Sequence, residues 1–433
     1  MKDSSDKRNG RKNILLFAIV LASVLAVGAL VLLLIAYRQG RFDKPDEVIV
    51  ASSEEESSEE PEIEVIDFEP GTDSEEETEE VSSEPEPEVL PPNTYRMDTD
   101  AETVTLKFCG DILLDDNYAV MKNFVSKGSD VENSFTGGLL DEMREADIFM
   151  VNNEFPYTDR GNPLPNKMYT FRAHPENVNI IKSLGADIAA LANNHITDYG
   201  IESLEDTLTT LNDAELPYVG AGQNLEEASK IVYFMNDNVK IAFICATQLE
   251  RLTVPDTRGA TDELSGTFRC WESTELLEQR VREAKENADV CVVYIHWGSE
   301  NVEPLDWAET TQAQVIADAG ADVIIGAHPH ILQQIGYIGD TLIFYSMGNF
   351  WFSSKTYDTG LASVEVGKEG VVSAKFIPCV SSGCVVRKSE GDEKARILNH
   401  MRSISTGVNI DEEGNVSSAS ASPAQETSEE SLQ

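Results

Sequence analysis

Basic residues are scarce in this chain of 433 residues, with 33 Lys and Arg against 77 Asp and Glu, for a formal net charge of −44. A surface of that sign repels polyanions, which argues against nucleic-acid binding and leaves any anionic ligand dependent on a local cation. The shortage is complete from Pro45 to Tyr95, where no Lys or Arg occurs and about twenty Asp and Glu mix with Ser, Pro and Thr. Such a stretch buries too little apolar surface to offset its ordering entropy, and its like charges extend it. Residues 38–100 are therefore expected to form a disordered acidic linker. Residues 403–433, dominated by Ser, Glu, Ala and Asn, are expected to form a disordered tail.

Long hydrophobic runs are missing too, apart from one. Ile14 to Tyr37 carries no charge and no proline, and about 20 apolar residues suffice to cross a bilayer. No small-x-small cleavage site follows at Ile35-Ala36-Tyr37-Arg38, so residues 14–37 read as an uncleaved transmembrane anchor and not a signal peptide. Lys2, Lys7, Arg8, Arg11 and Lys12 precede the span, against Arg38, Arg41 and Lys44 after it. That bias favours a cytoplasmic N-terminus at residues 1–13, a single pass through the cell membrane and an extracellular main domain.

Cysteine is sparse, with six in the chain and the first at Cys109, so no membrane-proximal thiol is present to carry a lipid. Cys245 and Cys291 sit inside apolar strand-like runs and read as buried thiols. Cys379 and Cys384 flank Val-Ser-Ser-Gly, a spacing open to a small looped disulfide or to two free thiols. No cysteine spacing resembles a zinc site.

What remains is a middle region, residues 101–402, in which strand and helix signals alternate. Val104 to Cys109, Asp147 to Asn152, Asp187 to Ala192, Val290 to Ile295 and Val323 to Ile325 read as strands, several of the short, fully apolar, buried kind. Leu139 to Glu145, Glu176 to Leu184, Ile201 to Asn212 and Thr274 to Asn287 have helical spacing. From Leu332 to Phe376 strands dominate, with a hairpin turn at Gly339-Asp340. The expected fold class is α/β (α+β), with two sheets between helical layers in one domain.

Histidine is rare, with six in the chain, yet four of them fall in short polar motifs that end apolar runs. The motifs are Gly110-Asp111, Asn152-Asn153-Glu154, Asn193-Asn194-His195, His296-Trp297-Gly298 and Gly326-Ala327-His328-Pro329-His330. Imidazole, carboxylate and carboxamide at successive strand ends are the donor set of a hydrolytic metal site, and strand ends on one sheet edge converge. His328 and His330, two apart after a buried strand, can face one centre. Asn193, Asn194 and Asp198 can equally cap the following helix, and Glu154 or Asp111 taken singly can be a turn residue. Their recurrence after one strand after another favours ligands.

Taken in order, Gly110-Asp111-Ile-Leu, Asn153-Glu154-Phe-Pro156, Tyr169-Thr-Phe-Arg172-Ala, Ala192-Asn-Asn-His195-Ile-Thr-Asp198-Tyr-Gly200, His296-Trp-Gly298, Gly326-Ala-His328-Pro-His330 and Tyr345-Ser-Met-Gly348-Asn349-Phe350 resemble the CapA family of bacterial capsule-synthesis proteins linked to poly-γ-glutamate. The resemblance covers about residues 102 to 380. It implies a four-layer α-β-β-α sandwich similar to calcineurin-like metallophosphatases, and a membrane-anchored, extracytoplasmic protein. By the same resemblance Asp111 holds a first metal, Glu154 bridges, Asn194, His296 and His328 hold a second, and His330 returns to the first. His195 stands beside the substrate as catalytic acid or electrostatic stabiliser. Arg172 reads as a clamp for a carboxylate or phosphate or as a structural arginine, and Asn153 as a second candidate substrate contact. Two positions depart from the pattern: Leu113 stands where the first strand carries a histidine, and Glu154 where the bridge is an aspartate. The implied cofactors are one or two divalent ions, manganese, iron or zinc. The implied function is a metal-dependent hydrolase acting on an anionic polymer or phosphorylated precursor, or a non-catalytic subunit of a membrane polymer-synthesis and export complex.

Overall fold

A computed structural model describes residues 90–249 and 257–419. The expected anchor at 14–37, most of the expected acidic linker and the end of the expected tail lie outside these residues. Among the described residues no helix is long and apolar enough to cross a membrane.

Two mixed sheets carry the fold. In the first, seven strands run in the order Thr94–Arg96, Val232–Met235, Lys240–Thr247, Val290–His296, Val323–Ala327, Thr341–Phe344 and Ile335–Ile338. In the second, the main path is Val408–Ile410, Asn415–Ser418, Gly370–Ser382, Tyr357–Gly367, Thr103–Ile112, Ile148–Asn153, Ile188–Ala190 and Tyr218–Val219. The short strand Asn349–Trp351 lies beside the end of Thr103–Ile112. The central strands of each sheet are parallel to their neighbours, so their carboxyl ends fall on a common edge.

The period-2 alternation of each strand assigns its two faces to two different cores. Ile241, Phe243, Val292 and Tyr294 of the first sheet share one cluster with Leu106, Phe108, Ile148 and Met150 of the second. The alternate residues of the first sheet, Ala242, Ile244, Val293 and Ile295, pack instead with Leu277, Val281, Ala313 and Ile316 of the helices Glu275–Asn287 and Trp307–Ala319. Phe149 and Val151 of the second sheet pack with Leu139 and Met143 of helix Leu139–Arg144, and with Leu204, Leu208 and Leu211 of helix Ile201–Asp213. Sheet faces sheet, and helices cover both outer faces. Burial on both faces explains why these strands are continuous apolar runs.

Two expectations change, and one helix was not expected. Residues 94–96, assigned by composition to the acidic linker, form an edge strand parallel to Val232–Met235. Residues 408–410 and 415–418, assigned to the tail, form an antiparallel pair that joins the second sheet through Ala374↔Val416. In both places a few backbone pairings and one or two buried side chains (Met97, Ile410, Val416) outweigh a polar composition. Helix Trp307–Ala319 had no clear apolar stripe in the sequence, because its buried face includes Glu309 and Gln312. The hairpin at Gly339-Asp340 is present, with Ile338 opposite Thr341. All six cysteines are free and buried, Cys379 and Cys384 included.

Candidate metal centre

Thr103–Ile112 delivers Asp111 through an irregularity. Its pairing with Ile148–Asn153 slips between Phe108 and Asp111, the kind of bulge that re-aims a side chain at a sheet edge. The backbone there is held against a second segment: Asp111 N–H donates to Gly348 O at 3.0 Å. A Cβ on Gly110 would lie 1.8 Å from that same oxygen, so only glycine permits the approach. The Tyr345–Phe350 motif thus acts as a backbone clamp on the strand that bears Asp111.

The other side chains arrive from neighbouring strand ends. Glu154 follows Ile148–Asn153 and Asn194 follows Ile188–Ala190 in the second sheet; His296 ends Val290–His296 and His328 follows Val323–Ala327 in the first. His328 and His330 adopt φ of 99° and 60°. Non-glycine residues in that region carry strain of about 1–3 kcal/mol each, which characteristically collects at functional sites.

All six expected ligands come together. Asp111, Glu154 and His330 form one group whose ligand atoms lie within 4.8 Å of one another, and Glu154, His296 and His328 form another. His330 Nδ1 is 2.9 Å from Asp111 Oδ2, and Asn194 Oδ1 is 2.9 Å from His296 Nε2. Glu154 sits between them, its Oε1 3.7 Å from His296 Nε2, 3.8 Å from His330 Nε2 and 3.9 Å from His195 Nε2.

These residues fit a divalent ion. Both Glu154 oxygens are fully buried without a hydrogen-bond partner, and so is His296 Nδ1. Burial, reinforced by the nearby Asp111 charge, pushes the Glu154 carboxyl well above its usual range. Burial and the facing His328 and His330 hold His296 well below the usual imidazole range, so it is neutral with a lone pair to give. Two atoms each about 2.1 Å from one ion are separated by at most about 4.2 Å, which the contacts around Glu154 Oε1 satisfy. A carboxylate costly to ionise alone, beside the lone pair of His296, is stabilised by a cation between them.

Leu113 is fully buried among the outer-core residues of the second sheet. Cys109, on the same strand, is also a core residue, and burial pushes its thiol well up, with the Asp111 charge adding to it. Neither supplies a ligand.

Beside the ligands lies a cavity of about 320 Å³, lined in part by Lys167, Tyr169, Phe171, His195, Glu300 and Phe352. His195 Nδ1 bonds Asp198 Oδ2 at 2.6 Å, and its ring packs 4.2 Å from that of Phe171. Burial lowers the His195 pKa, partly offset by Asp198. Asp198 also accepts from Phe171 N–H and from Lys167 Nζ, and Lys167 reaches the Asn194 carbonyl oxygen as well. This buried Lys167–Asp198–His195 chain was invisible in the sequence, where Lys167 sits in an irregular loop. Glu300 was likewise missed; its ligand atom lies within 4.8 Å of those of His328 and His330.

The two expected substrate contacts lie elsewhere. The Arg172 guanidinium stacks over the Tyr199 ring, 4.5 Å from its centroid, and does not line the cavity. Asn153 is fully buried, its amide donating to Phe155 O at 2.7 Å. The Arg172 backbone N–H donates to Asp115 Oδ2 at 2.9 Å, and Asn153 ends the strand that Glu154 follows.

The profile of the family described as "Bacterial capsule synthesis protein PGA_cap" matches residues 105–354. The chain is 34% identical over 213 residues to the "Capsule biosynthesis protein CapA" of Bacillus anthracis, covering 48% of this chain and 50% of that one. It is 31% identical over 290 residues to the "PGA biosynthesis protein CapA" of Bacillus subtilis (strain 168), covering 64% of this chain and 71% of that one. A "Probable polyglutamine synthesis accessory protein" of Mycobacterium tuberculosis is 27% identical over 213 residues, covering 48% of this chain and 56% of that one. The chain thus spans about half the length of the Bacillus anthracis relative.

Proposed function

The chain belongs to the bacterial capsule synthesis protein PGA_cap family, and on that premise we propose that it serves synthesis or export of an anionic envelope polymer, poly-γ-glutamate as the motif resemblance implies, as a metal-dependent hydrolase with a metallophosphatase-like fold. The observation that carries this reading is the buried Glu154 carboxylate, unbonded and surrounded by the Nε2 atoms of three imidazoles. Asp111, Glu154 and His330 would hold one ion, and Glu154, Asn194, His296 and His328 a second. When bound, such ions polarise a scissile phosphoryl or carbonyl group and activate water.

The chain's own residues supply the rest. Asp198 fixes the proton of His195 on Nδ1 and turns Nε2 toward the cavity. It also stabilises the imidazolium form that donates a proton to a leaving group from Nε2. Lys167 holds Asp198 and the Asn194 backbone in one frame. Phe171 and Phe352 cover the imidazoles of His195 and His330 and exclude water from that side. Local positive charge from the ions and from Lys355 at the rim offsets the repulsion of an anionic substrate by the chain's net charge.

Location is part of the proposal: residues 14–37 anchor the protein in the cell membrane, with the N-terminus cytoplasmic and the catalytic domain outside. The uninterrupted apolar run and its basic N-terminal flank support it. A second reading, a non-catalytic subunit of the polymer-synthesis complex, is favoured by buried Leu113 in the place of a ligand. His195→Ala separates the two. A hydrolase retains its metal but loses turnover on phosphoesters or γ-glutamyl polymer; an accessory subunit shows unchanged polymer output.

A further inference from the structure

We propose that Glu300 is an additional, displaceable metal ligand, entering from the cavity side beside His328 and His330. The inference rests on the metal-site reading above. Every other acidic ligand is buried: Asp111 is 1% exposed and Glu154 0%. Glu300 is exposed, lines the cavity, and offers a carboxylate oxygen within 4.8 Å of ligand nitrogens of both His328 and His330. No other carboxylate among the described residues approaches this histidine pair from the open side.

The placement is built into the backbone. Gly298 has φ of +78°, and a Cβ there would lie 2.5 Å from Glu309 Oε1. Glycine therefore lets the chain turn sharply after His296 and bring Glu300 back over the site. Asn301 N–H then donates to Pro329 O at 2.9 Å, tying the Glu300 loop to the turn that carries both histidines. Ser299 Oγ, 3.0 Å from Asp306 Oδ2, fixes the other side of the loop to the start of helix Trp307–Ala319. Glu300 is thus held against His328 and His330 by main-chain contacts while its carboxylate stays free to swing. Buried ligands set the metal positions; a ligand at the mouth can yield its place to an incoming phosphate or carboxylate oxygen, which has the same donor chemistry.

The test is a calorimetric titration of Mn2+ into the metal-stripped full chain, wild type and Glu300→Gln, with metal-free thermal midpoints compared as a folding control. We expect equal midpoints and at least one Mn2+ binding step weakened tenfold or more in the variant. The loss should persist in 1 M salt, where the Debye length is about 3 Å and through-space attraction is screened. The visible absorption of the Co2+-loaded variant should also differ from wild type, reporting a changed coordination shell. Wild-type Mn2+ binding with an unchanged variant, or a loss that vanishes in high salt, overturns the role of Glu300 and leaves the metal centre standing. Absence of Mn2+ binding by the wild type overturns both.

Discussion

Lys167 Nζ lies 2.6 Å from Asp198 Oδ1 in an ion pair whose side chains are only 4% and 0% exposed. Removing one partner of a buried pair leaves the other charge uncompensated, at a typical cost of about 3–5 kcal/mol. Lys167→Met should therefore lower the unfolding free energy by roughly that amount in urea titration. A loss below about 1 kcal/mol would mean that solvent already relieves Asp198.

Asp198→Asn probes the second oxygen of that carboxylate, which holds His195 Nδ1. Metal content should be unchanged, since Asp198 belongs to neither ligand group. Turnover should fall by about 10²–10⁴-fold, the usual contribution of a positioned acid. Metal loss in this variant would move Asp198 from proton transfer to site assembly.

Gly110→Ala places a methyl 1.8 Å from Gly348 O. The strand bearing Asp111 and the Tyr345–Phe350 segment must then separate, breaking the bond from Asp111 N–H to Gly348 O. Overpacking of this kind costs about 3 kcal/mol at its upper range. Chemical unfolding should show that loss, together with weaker metal retention, because Asp111 moves with its backbone. An unperturbed variant would contradict the clamp.

Glu309 gives a pH signature at the start of helix Trp307–Ala319, where it packs against Gly298. Its Oε2 accepts the Asp306 N–H in the capping box of helix Trp307–Ala319, and burial raises its pKa from 4.5 to about 7. The unfolded chain releases this proton near 4.5 and the folded chain only near 7. Between those values the folded state binds more protons, so this group makes stability fall as pH rises through that window, with the full penalty above it. Glu309→Gln keeps an oxygen for the Asp306 N–H and cannot ionise. The difference between wild-type and variant thermal midpoints should therefore shift in the variant's favour from pH 4.5 to pH 7.5. A constant difference would contradict it.

The convergence of the candidate ligands was legible in the sequence because each member ends an apolar run, and parallel strands bring such ends to one edge. Asp111, Glu154, Asn194, His296, His328 and His330 needed only that periodicity and the family resemblance. Lys167 and Glu300 were not legible, since irregular loops carry no period from which the direction of a side chain can be read. The direction of Arg172 was not legible for the same reason: its motif neighbours approach the site, but its own side chain turns to Tyr199. The edge strands Thr94–Arg96 and Val408–Ile410, and Asn415–Ser418 beside the latter, were hidden by polar composition, since a few backbone bonds stabilise them. Helix Trp307–Ala319 was hidden by the polar Glu309 and Gln312 on its buried face.

The most direct measurement is metal content per chain, by plasma mass spectrometry, on the full protein purified without chelator or affinity-tag nickel. The account predicts one to two equivalents of manganese, iron or zinc, falling sharply in Glu154→Gln. Only trace metal, with none gained on incubation with any of the three, would contradict it.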